Sequence, residues 1–378
     1  MIAALLSAVA ILALAGPALD MKLSMPDGST QARGTMGHAS YAAIARGFRP
    51  GFDAPLIIAA TLPSRSASGA ALATAVRGVP GVASVTPVVV SPDGKAAMMI
   101  ACPATGEHDP ATDAVVNRIS GTVLPRATAG TGIRAYVTGP NAGNVSFATV
   151  VSQRLPWLVA IVVLISMLLL TVVFRSVTVA LKAAVMNLLS ISAAYGVLVI
   201  VTQNGWGRQL LGFPARMPVT TRVPIFLFVI LFGMSMDYEV FLFSRIREAY
   251  GATGDNSVAV ARGLSSTARV ISAAAAIMVV VFLSFVLGAN VSVKQVGLGL
   301  AVAVLIDATL VRLVLVPAVM ELLHSANWWL PGWLARLLPA MPVRAAAAAG
   351  NAAAPGNALA HGCSPAGEAE PVSSTSGR

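Results

Sequence analysis

Residues 222–250 read RVPIFLFVILFGMSMDYEVFLFSRIREAY. The segment begins as an apolar helix long enough to cross most of a bilayer. Asp237, Tyr238 and Glu239 follow inside the same apolar run, before the polar and charged residues of the stretch SRIRE (244–248) end it. An ionised carboxylate at the centre of a membrane helix costs about 2.5–3.5 kcal/mol on insertion scales. Asp237 is therefore a candidate functional residue, and it must face a protein interior, a water-filled path or a partner charge.

The composition is that of an integral membrane protein. The 378 residues are 56% hydrophobic and 11% charged, whereas a soluble domain carries about 25% charged residues. The net charge of +10 does not indicate a nucleic-acid-binding protein, because Lys and Arg lie singly near the ends of apolar blocks and no basic cluster has interleaved aromatic residues. The two cysteines, Cys102 and Cys363, lie in unrelated regions and predict neither a disulfide nor a metal site.

The apolar blocks predict six transmembrane helices, at residues 2–16, 155–174, 177–202, 222–250, 269–287 and 292–322. The first block is short, because its residues reach only about 23 Å at the helical rise, against a hydrocarbon core of about 30 Å. A signal peptide is one interpretation of residues 2–16, but no Lys or Arg precedes the apolar run. We prefer a first transmembrane helix whose beginning is clipped.

Residues 17–153 form a different kind of segment, in which Pro, Gly and charged residues return. Strand-like runs lie at 56–62, 82–90, 96–101 and 133–138, and helical patterns at 68–77 and 109–124. The order βαββαβ predicts an inserted α+β domain of ferredoxin-like fold. His108 lies between Glu107 and Asp109. We interpret it as part of a solvated surface rather than a metal site, because no Cys or second His is near in sequence.

The loop charges predict the orientation. One side carries Arg175, Lys182, Arg245, Arg247, Arg262 and Arg269, and the other carries Arg208, Arg216, Arg222 and Lys294. The first side is therefore expected to be cytoplasmic, which places the domain at 17–153 outside. Residues 154–324 then form a five-helix membrane bundle. The tryptophans at 328, 329 and 333 predict an interfacial amphipathic segment at 325–341, and the composition of 342–378 predicts a disordered tail.

The last span also carries charges inside its apolar block, at Asp307 and Arg312. The helical rise places Asp237 and Asp307 at similar depth, within about 3 Å, and Arg312 about 7.5 Å further in. Arg312 is a fixed counter-charge, whereas both aspartates can be protonated and Tyr238 can hold or pass a proton through its hydroxyl. The alternative is a structural ion pair of Asp307 and Arg312 that locks helices together, with Asp237 as a polar contact between helices.

Glu239 follows directly after Asp237 and Tyr238. It lies about 200° round the helix from Asp237 and does not share its face. We therefore interpret Glu239 as an interfacial partner of Arg245 or of another basic group.

Three segments carry a family resemblance: GMSMDYEVFLFSRIREAY (233–250), LIDATLVRLVLVPAVMELL (305–323) and NWWLPGWLARLLP (327–339). They resemble the C-terminal half of the MmpL-type transporters of the resistance–nodulation–division superfamily, and the resemblance covers about residues 1–342. It implies an α-helical polytopic protein of the plasma (inner) membrane with an extracytoplasmic porter domain. It also implies export of lipids or other hydrophobic compounds by the proton motive force, with no cofactor and no enzyme activity. The proton relay it implies is Asp237, Tyr238, Asp307 and Arg312.

The sequence departs from the family in length, because a full member has two such halves and this chain has one. A gene fragment, a mis-called start and a half-transporter that pairs with itself or with a separate first half are all open explanations. A second transporter half is expected as a partner, since one half alone exposes Asp237 and Asp307 towards lipid.

A second class of function is a SecDF-like accessory of protein export, but the Asp-Tyr-Glu motif and the tryptophan-rich exit favour the transporter. An intramembrane aspartyl protease is not indicated, because Ser-Met precedes Asp237 and no peptidase motif surrounds Asp307.

Overall fold

The computed structural model describes residues 2–32, 34–63 and 69–337. The helices are α1 (Ile2–Ala15), α2 (Met36–Phe48), α3 (Ala70–Arg77), α4 (Pro110–Arg118), α5 (Leu124–Thr128), α6 (Pro140–Phe174), α7 (Val177–Thr202), α8 (Val223–Thr253), α9 (Asn256–Val286), α10 (Val291–Ile306), α11 (Val316–Leu323) and α12 (Gly332–Leu337). The strands are β1 (Leu23–Ser24), β2 (Leu56–Thr61), β3 (Val82–Val85), β4 (Val89–Val90), β5 (Ala96–Pro103), β6 (Arg134–Thr138) and β7 (Val219–Thr220). The tail predicted at 342–378 lies outside the described residues.

Six helical segments of the described chain are long and apolar enough to cross a membrane: Ile2–Asp20, Pro140–Phe174, Val177–Thr202, Val223–Thr253, Asn256–Val286 and Val291–Leu323. The prediction of six spans is confirmed. Two boundaries differ, because α6 begins at Pro140 instead of residue 155 and α9 begins at Asn256 instead of residue 269. The carboxylate of Asp255 accepts hydrogen bonds from the backbone N–H groups of Ser257 and Val258. This cap allows the helix to begin in the polar stretch before the apolar block.

The first span packs against the outside of the helix bundle through one face, and most of its other side chains are exposed. Ile11 is fully buried in a cluster that includes Val179 of α7 and Val311 of the last span. Gly196 makes the close approach of α1 and α7 possible, because a Cβ at this position would overlap the backbone oxygen of Leu14. The two helices therefore touch at backbone distance, as small residues allow in membrane proteins.

The segment between the first two spans contains an antiparallel sheet with the strand order β3–β5–β2–β6, to which β4 adds beside β5. In β2, residues 56, 58 and 60 are buried and residues 57 and 59 are only partly covered. The buried side faces α3, α4 and α5, and its core includes Leu56, Leu72 and Ile119. The predicted single run at 82–90 is two strands, because Pro87 lacks the N–H that a continuous ladder needs.

His108 is only partly exposed, at 17% of its side chain, so the interpretation of this residue as a solvated surface side chain is wrong. Its Nε2 lies 2.9 Å from Asp27 Oδ1 and its Nδ1 lies 3.0 Å from Ser24 Oγ. Burial by itself lowers the pKa of the imidazole, but the hydrogen bond and charge of Asp27 outweigh it, and the pKa of His108 is raised. The same contact holds the pKa of Asp27 below its usual value against the opposing effect of burial. The two residues therefore form a charged pair.

A short two-stranded clasp joins the chain that leaves α1 to the loop that enters α8. Strands β1 and β7 pair in parallel, with Leu23 opposite Val219 and Ser24 opposite Thr220. The side chain of Gln295, at the start of the last span, accepts a hydrogen bond of 2.8 Å from the Thr220 N–H. The ends of three spans are thus fixed together on this side of the bundle.

At the opposite end of the bundle, Asn327 is completely buried and joins several elements. Its Nδ2 donates to the backbone oxygen of Met320 at 2.6 Å, and its Oδ1 accepts from Lys182 Nζ at 2.6 Å. Ser176 Oγ donates to its backbone oxygen. The residues after the last span are therefore tied to α7, and Trp328 stacks on Tyr250 of α8 with ring centroids 5.2 Å apart.

Candidate functional site

A π-helical segment, Asp307–Leu315, interrupts the last span between α10 and α11. In a regular α-helix, two residues five apart point about 140° away from each other. In a π-helix the hydrogen bonds run between residues five apart, so Asp307 and Arg312 come to lie on one face. Pro317 follows in α11 and cannot donate to the preceding turn, which favours irregular backbone just before it. The π segment therefore creates the contact between the two predicted charges.

Asp307 and Arg312 form an ion pair inside the bundle. Arg312 Nη2 lies 2.6 Å from Asp307 Oδ2, and Arg312 Nε donates to the same oxygen at 2.8 Å. The side chain of Arg312 is 2% exposed and that of Asp307 is 14% exposed. Such a pair is stable only when further hydrogen bonds satisfy its remaining groups.

Those further hydrogen bonds come from α8. Arg312 Nη2 donates to the backbone oxygen of Ser235 at 2.7 Å and to its Oγ at 2.9 Å. The guanidinium carbon of Arg312 also lies 5.2 Å from the centroid of the Tyr238 ring. Nη1 of Arg312 is buried and has no hydrogen-bond partner among the described residues. One arm of this cation is therefore available for a second arrangement.

The network continues from Ser235 to α7. The hydroxyl of Ser235 lies 2.5 Å from Asn187 Oδ1 and 3.1 Å from Asp307 Oδ2, and its single proton can serve one acceptor at a time. Asn187 Nδ2 donates to Glu239 Oε2 at 3.2 Å. Glu239 is 3% exposed, so the interpretation of this residue as an interfacial partner of Arg245 is wrong.

Arg245 pairs instead with Glu248, at 3.0 Å on the exposed end of α8. The sequence did contain a signal for the inward face of α8. Ser235, Tyr238 and Glu239 are spaced i, i+3 and i+4, which places them on one side of a helix. Asp237 lies on another side, and the sequence interpretation took its side as the inward one.

Asp237 is exposed on the outer surface of α8. It makes no hydrogen bond or ion pair with any residue that the structure describes. Tyr238, the other member of the predicted Asp-Tyr pair, points inward, and its hydroxyl lies 3.9 Å from Met278 Sδ in α9. The structure thus brings Tyr238, Asp307 and Arg312 together and places Asp237 apart from them.

A cavity of about 20 Å³ adjoins the ion pair, bounded by Ser235, Tyr238, Asp307, Arg312 and the end of Asn187. This volume is sufficient for one water molecule. No group of His, Cys, Asp and Glu side chains that could hold a metal ion occurs in the described part of the chain. The chemistry that the residues of this site can perform is the binding and release of a proton by a carboxylate beside a fixed cation.

The MMPL family model matches residues 59–344. The chain belongs to the MMPL family. The resemblance to MmpL-type transporters inferred from the sequence is confirmed, and the chain is a multi-pass membrane protein of this family.

Three curated relatives of this MMPL chain have names that refer to different cargo. It is 39% identical over 89% of its length to the mycolic acid-containing lipids exporter MmpL11 of Mycolicibacterium smegmatis. It is 37% identical over 90% of its length to the heme uptake protein MmpL11 of Mycobacterium tuberculosis. It is 34% identical over 54% of its length to the trehalose monomycolate exporter MmpL3 of Mycolicibacterium smegmatis. The chain spans 36% of the length of the first two relatives and 20% of the third.

Proposed function

We propose that this chain is one half of a proton-driven exporter that moves lipids or other hydrophobic compounds out of the inner membrane. The observation that supports this most strongly is the ion pair of Asp307 and Arg312, placed in a π-helical break within the last span. The names of the lipid-exporting relatives support lipid as the cargo class.

Protonation of Asp307 is the event that we propose drives the cycle. Neutral Asp307 no longer balances Arg312, and removal of one partner of a buried ion pair costs about 3–5 kcal/mol. A proton that crosses a membrane potential of about 100 mV releases about 2.3 kcal/mol, to which a pH gradient adds. The two magnitudes are comparable, so the proton gradient is sufficient to drive a rearrangement of α8 against the π segment. In that rearrangement the buried Nη1 of Arg312 gains the partner that it lacks here.

Asp237 and Tyr238 belong to the proposed relay together with Asp307 and Arg312. An ionised Asp237 exposed to lipid on α8 costs about 2.5–3.5 kcal/mol, which a partner surface removes. We therefore propose that a second transporter half, supplied by another copy of this chain, covers this face of α8. The inward residues Tyr238, Asp307 and Arg312 then belong to one half, and Asp237 belongs to the boundary between the halves.

The sheet-containing segment is the proposed extracytoplasmic porter domain. A ferredoxin-like fold for this domain is supported by the element order β2–α3–β3–β5–α4–α5–β6 and by the strand order β3–β5–β2–β6. The face of the sheet that the helices leave open exposes Val89, Met98 and Tyr136 beside a cavity of about 380 Å³. An open apolar face of this kind suits a hydrophobic cargo.

The proposal is tested with the full chain reconstituted in liposomes under an imposed pH gradient. The readout is the movement of a fluorescent mycolic-acid-type lipid, with haem as the competing cargo. We expect gradient-dependent lipid movement by the wild type, and none by Asp307→Asn. Glu248→Gln is the matched control, because it removes an exposed carboxylate from α8. Lipid movement by Asp307→Asn with unchanged dependence on the gradient would refute the proposed mechanism, and movement of haem alone would refute the proposed cargo.

A further inference from the structure

Glu239 is a buried carboxylate that the proposed relay does not use. It is 3% exposed and accepts one hydrogen bond from the described residues, at 3.2 Å from Asn187 Nδ2. An ionised carboxylate has about four acceptor positions, and in hydrocarbon surroundings it requires a cation or further donors to fill them. A carboxylate with so few donors is suited to alternate between its charged and protonated forms.

Three charged groups act on Glu239 from the elements packed around it. Lys182 of α7 and Arg312 of the π segment attract its negative charge, and Asp307 of the π segment repels it. Neither cation forms an ion pair with it, since Lys182 Nζ donates to Asn327 Oδ1 and Arg312 donates to Asp307 and α8. The charged form of Glu239 is therefore stabilised by two cations that do not form an ion pair with it. The balance of attraction and repulsion on Glu239 changes when Asp307 changes its charge.

Asn187 connects the two carboxylates without carrying a proton itself. Its Oδ1 faces the hydroxyl of Ser235, and its Nδ2 faces Glu239. When Asp307 is ionised, its Oδ2 competes with Asn187 for the single proton of Ser235. When Asp307 is protonated, that hydroxyl is free to donate to Asn187, which fixes the amide donor that points at Glu239. A negative charge on Glu239 is then favoured.

Small cavities lie on both sides of Asn187. One, of about 20 Å³, is bounded by Asp307 and Arg312. The other, of about 10 Å³, is bounded by Glu239, Asn187 and Ser166. Space for one water is reached at about 10–15 Å³, so each carboxylate has a position from which a proton can arrive and to which it can return.

We propose that Glu239 is a second proton-binding residue of this chain, coupled to Asp307 so that one of the two carboxylates is protonated when the other is charged. The step is the addition of one proton from water to the Glu239 carboxylate and its return to water, with no electron transfer. Lys182 and Arg312 remain cations throughout. Because this inference extends the proposed proton-driven export, its test includes a measurement that does not depend on transport.

That measurement is infrared difference spectroscopy of the full chain in lipid, titrated with pH. We expect a protonated-carboxyl band that is absent from Glu239→Gln and present in Glu248→Gln, the exposed control on the same helix. In Asp307→Asn the repelling charge is gone, so the midpoint of this band should move to lower pH by about one unit, the scale of coupled sites. A spectrum of Glu239→Gln identical to that of the wild type would overturn the inference, and so would an unchanged midpoint in Asp307→Asn.

The transport assay separates this inference from the proposed function. Gradient-driven lipid movement by the wild type and its loss in Glu239→Gln support both. If the wild type moves no lipid but the Glu239 band titrates as expected, the proposed function fails and the proton site stands. If the wild type moves lipid and Glu239→Gln does so with the same pH dependence, the inference about Glu239 fails alone.

Discussion

Replacement of Arg312 by Met tests whether Asp307 and Arg312 stabilise the fold as a pair, so that the loss of either one costs more than the loss of both. The substitution leaves Asp307 charged, mostly buried and in contact only with the hydroxyl of Ser235. Breaking a buried pair in this way costs about 3–5 kcal/mol of unfolding free energy. We expect a value near 3 kcal/mol for Arg312→Met, at the low end of that range, because Asp307 retains some exposure.

Asp307→Asn should cost less, about 1.5–3 kcal/mol, because the amide oxygen can still accept from the guanidinium and only the charge is lost. The double variant leaves no buried charge at this position and should cost about 1 kcal/mol or less, since neutral replacements of buried pairs are often tolerated. The two single costs together therefore exceed that of the double variant by a coupling energy of at least about 3.5 kcal/mol.

The free energy of unfolding is measured for the four proteins in mixed lipid–detergent micelles with increasing denaturing detergent. The cost of Arg312→Met should also shrink as the pH falls, because a proton on Asp307 removes the unbalanced charge. A double variant as unstable as the sum of the two single variants would refute the view that these residues act as a unit. So would a cost of Arg312→Met that does not change with pH.

Three further variants test other contacts. For His108→Gln, the stability lost relative to the wild type should be greatest between pH 3.8 and pH 6.5, the ordinary pKa values of Asp27 and His108, because folding lowers the first and raises the second. It should disappear as the pH rises through the folded pKa of His108 or falls through that of Asp27, which thermal unfolding across a pH series measures. Gly196→Leu should separate α1 from α7 and lower stability by about 1–3 kcal/mol, with Val185→Leu on the exposed side of α7 as the neutral control. Asn327→Ala leaves Lys182 without its acceptor, and faster proteolysis after the last span is the expected result, whereas wild-type cleavage kinetics would contradict it.

The positions of the membrane spans were predictable because each requires a long apolar block. Such a block is visible in the sequence however the helices pack against each other. The side of α8 that faces the bundle was not predictable in this way. That helix is apolar around its whole circumference, so hydrophobic periodicity does not separate its inward face from its outward one. Asp237 and Glu239 differ in environment for reasons that lie in α7 and the π segment, which supply Asn187, Lys182 and Arg312.

The contact between Asp307 and Arg312 was among the predicted alternatives, but its geometry was not. Regular helical spacing places residues five apart on different faces, and only the π segment brings these two together. Pro317 was a visible signal of irregular backbone, although it did not specify where the irregularity lies. His108 was misread because its partners, Asp27 and Ser24, are distant in sequence and approach it only in the folded chain.

The clasp of β1 and β7 couples the position of α8 to that of the chain that follows α1. Val219 N–H donates to the backbone oxygen of Lys22, and Thr221 N–H donates to that of Ser24, each at 3.0 Å. The end of α8 that follows β7 and the strand that leads away from α1 are therefore held together. Under the proposed mechanism, a tilt of α8 caused by a change of charge at its centre would pull on the polypeptide between the first span and the sheet. In that proposal the movement would be transmitted to the sheet along the main chain, without any contact through a bound cargo.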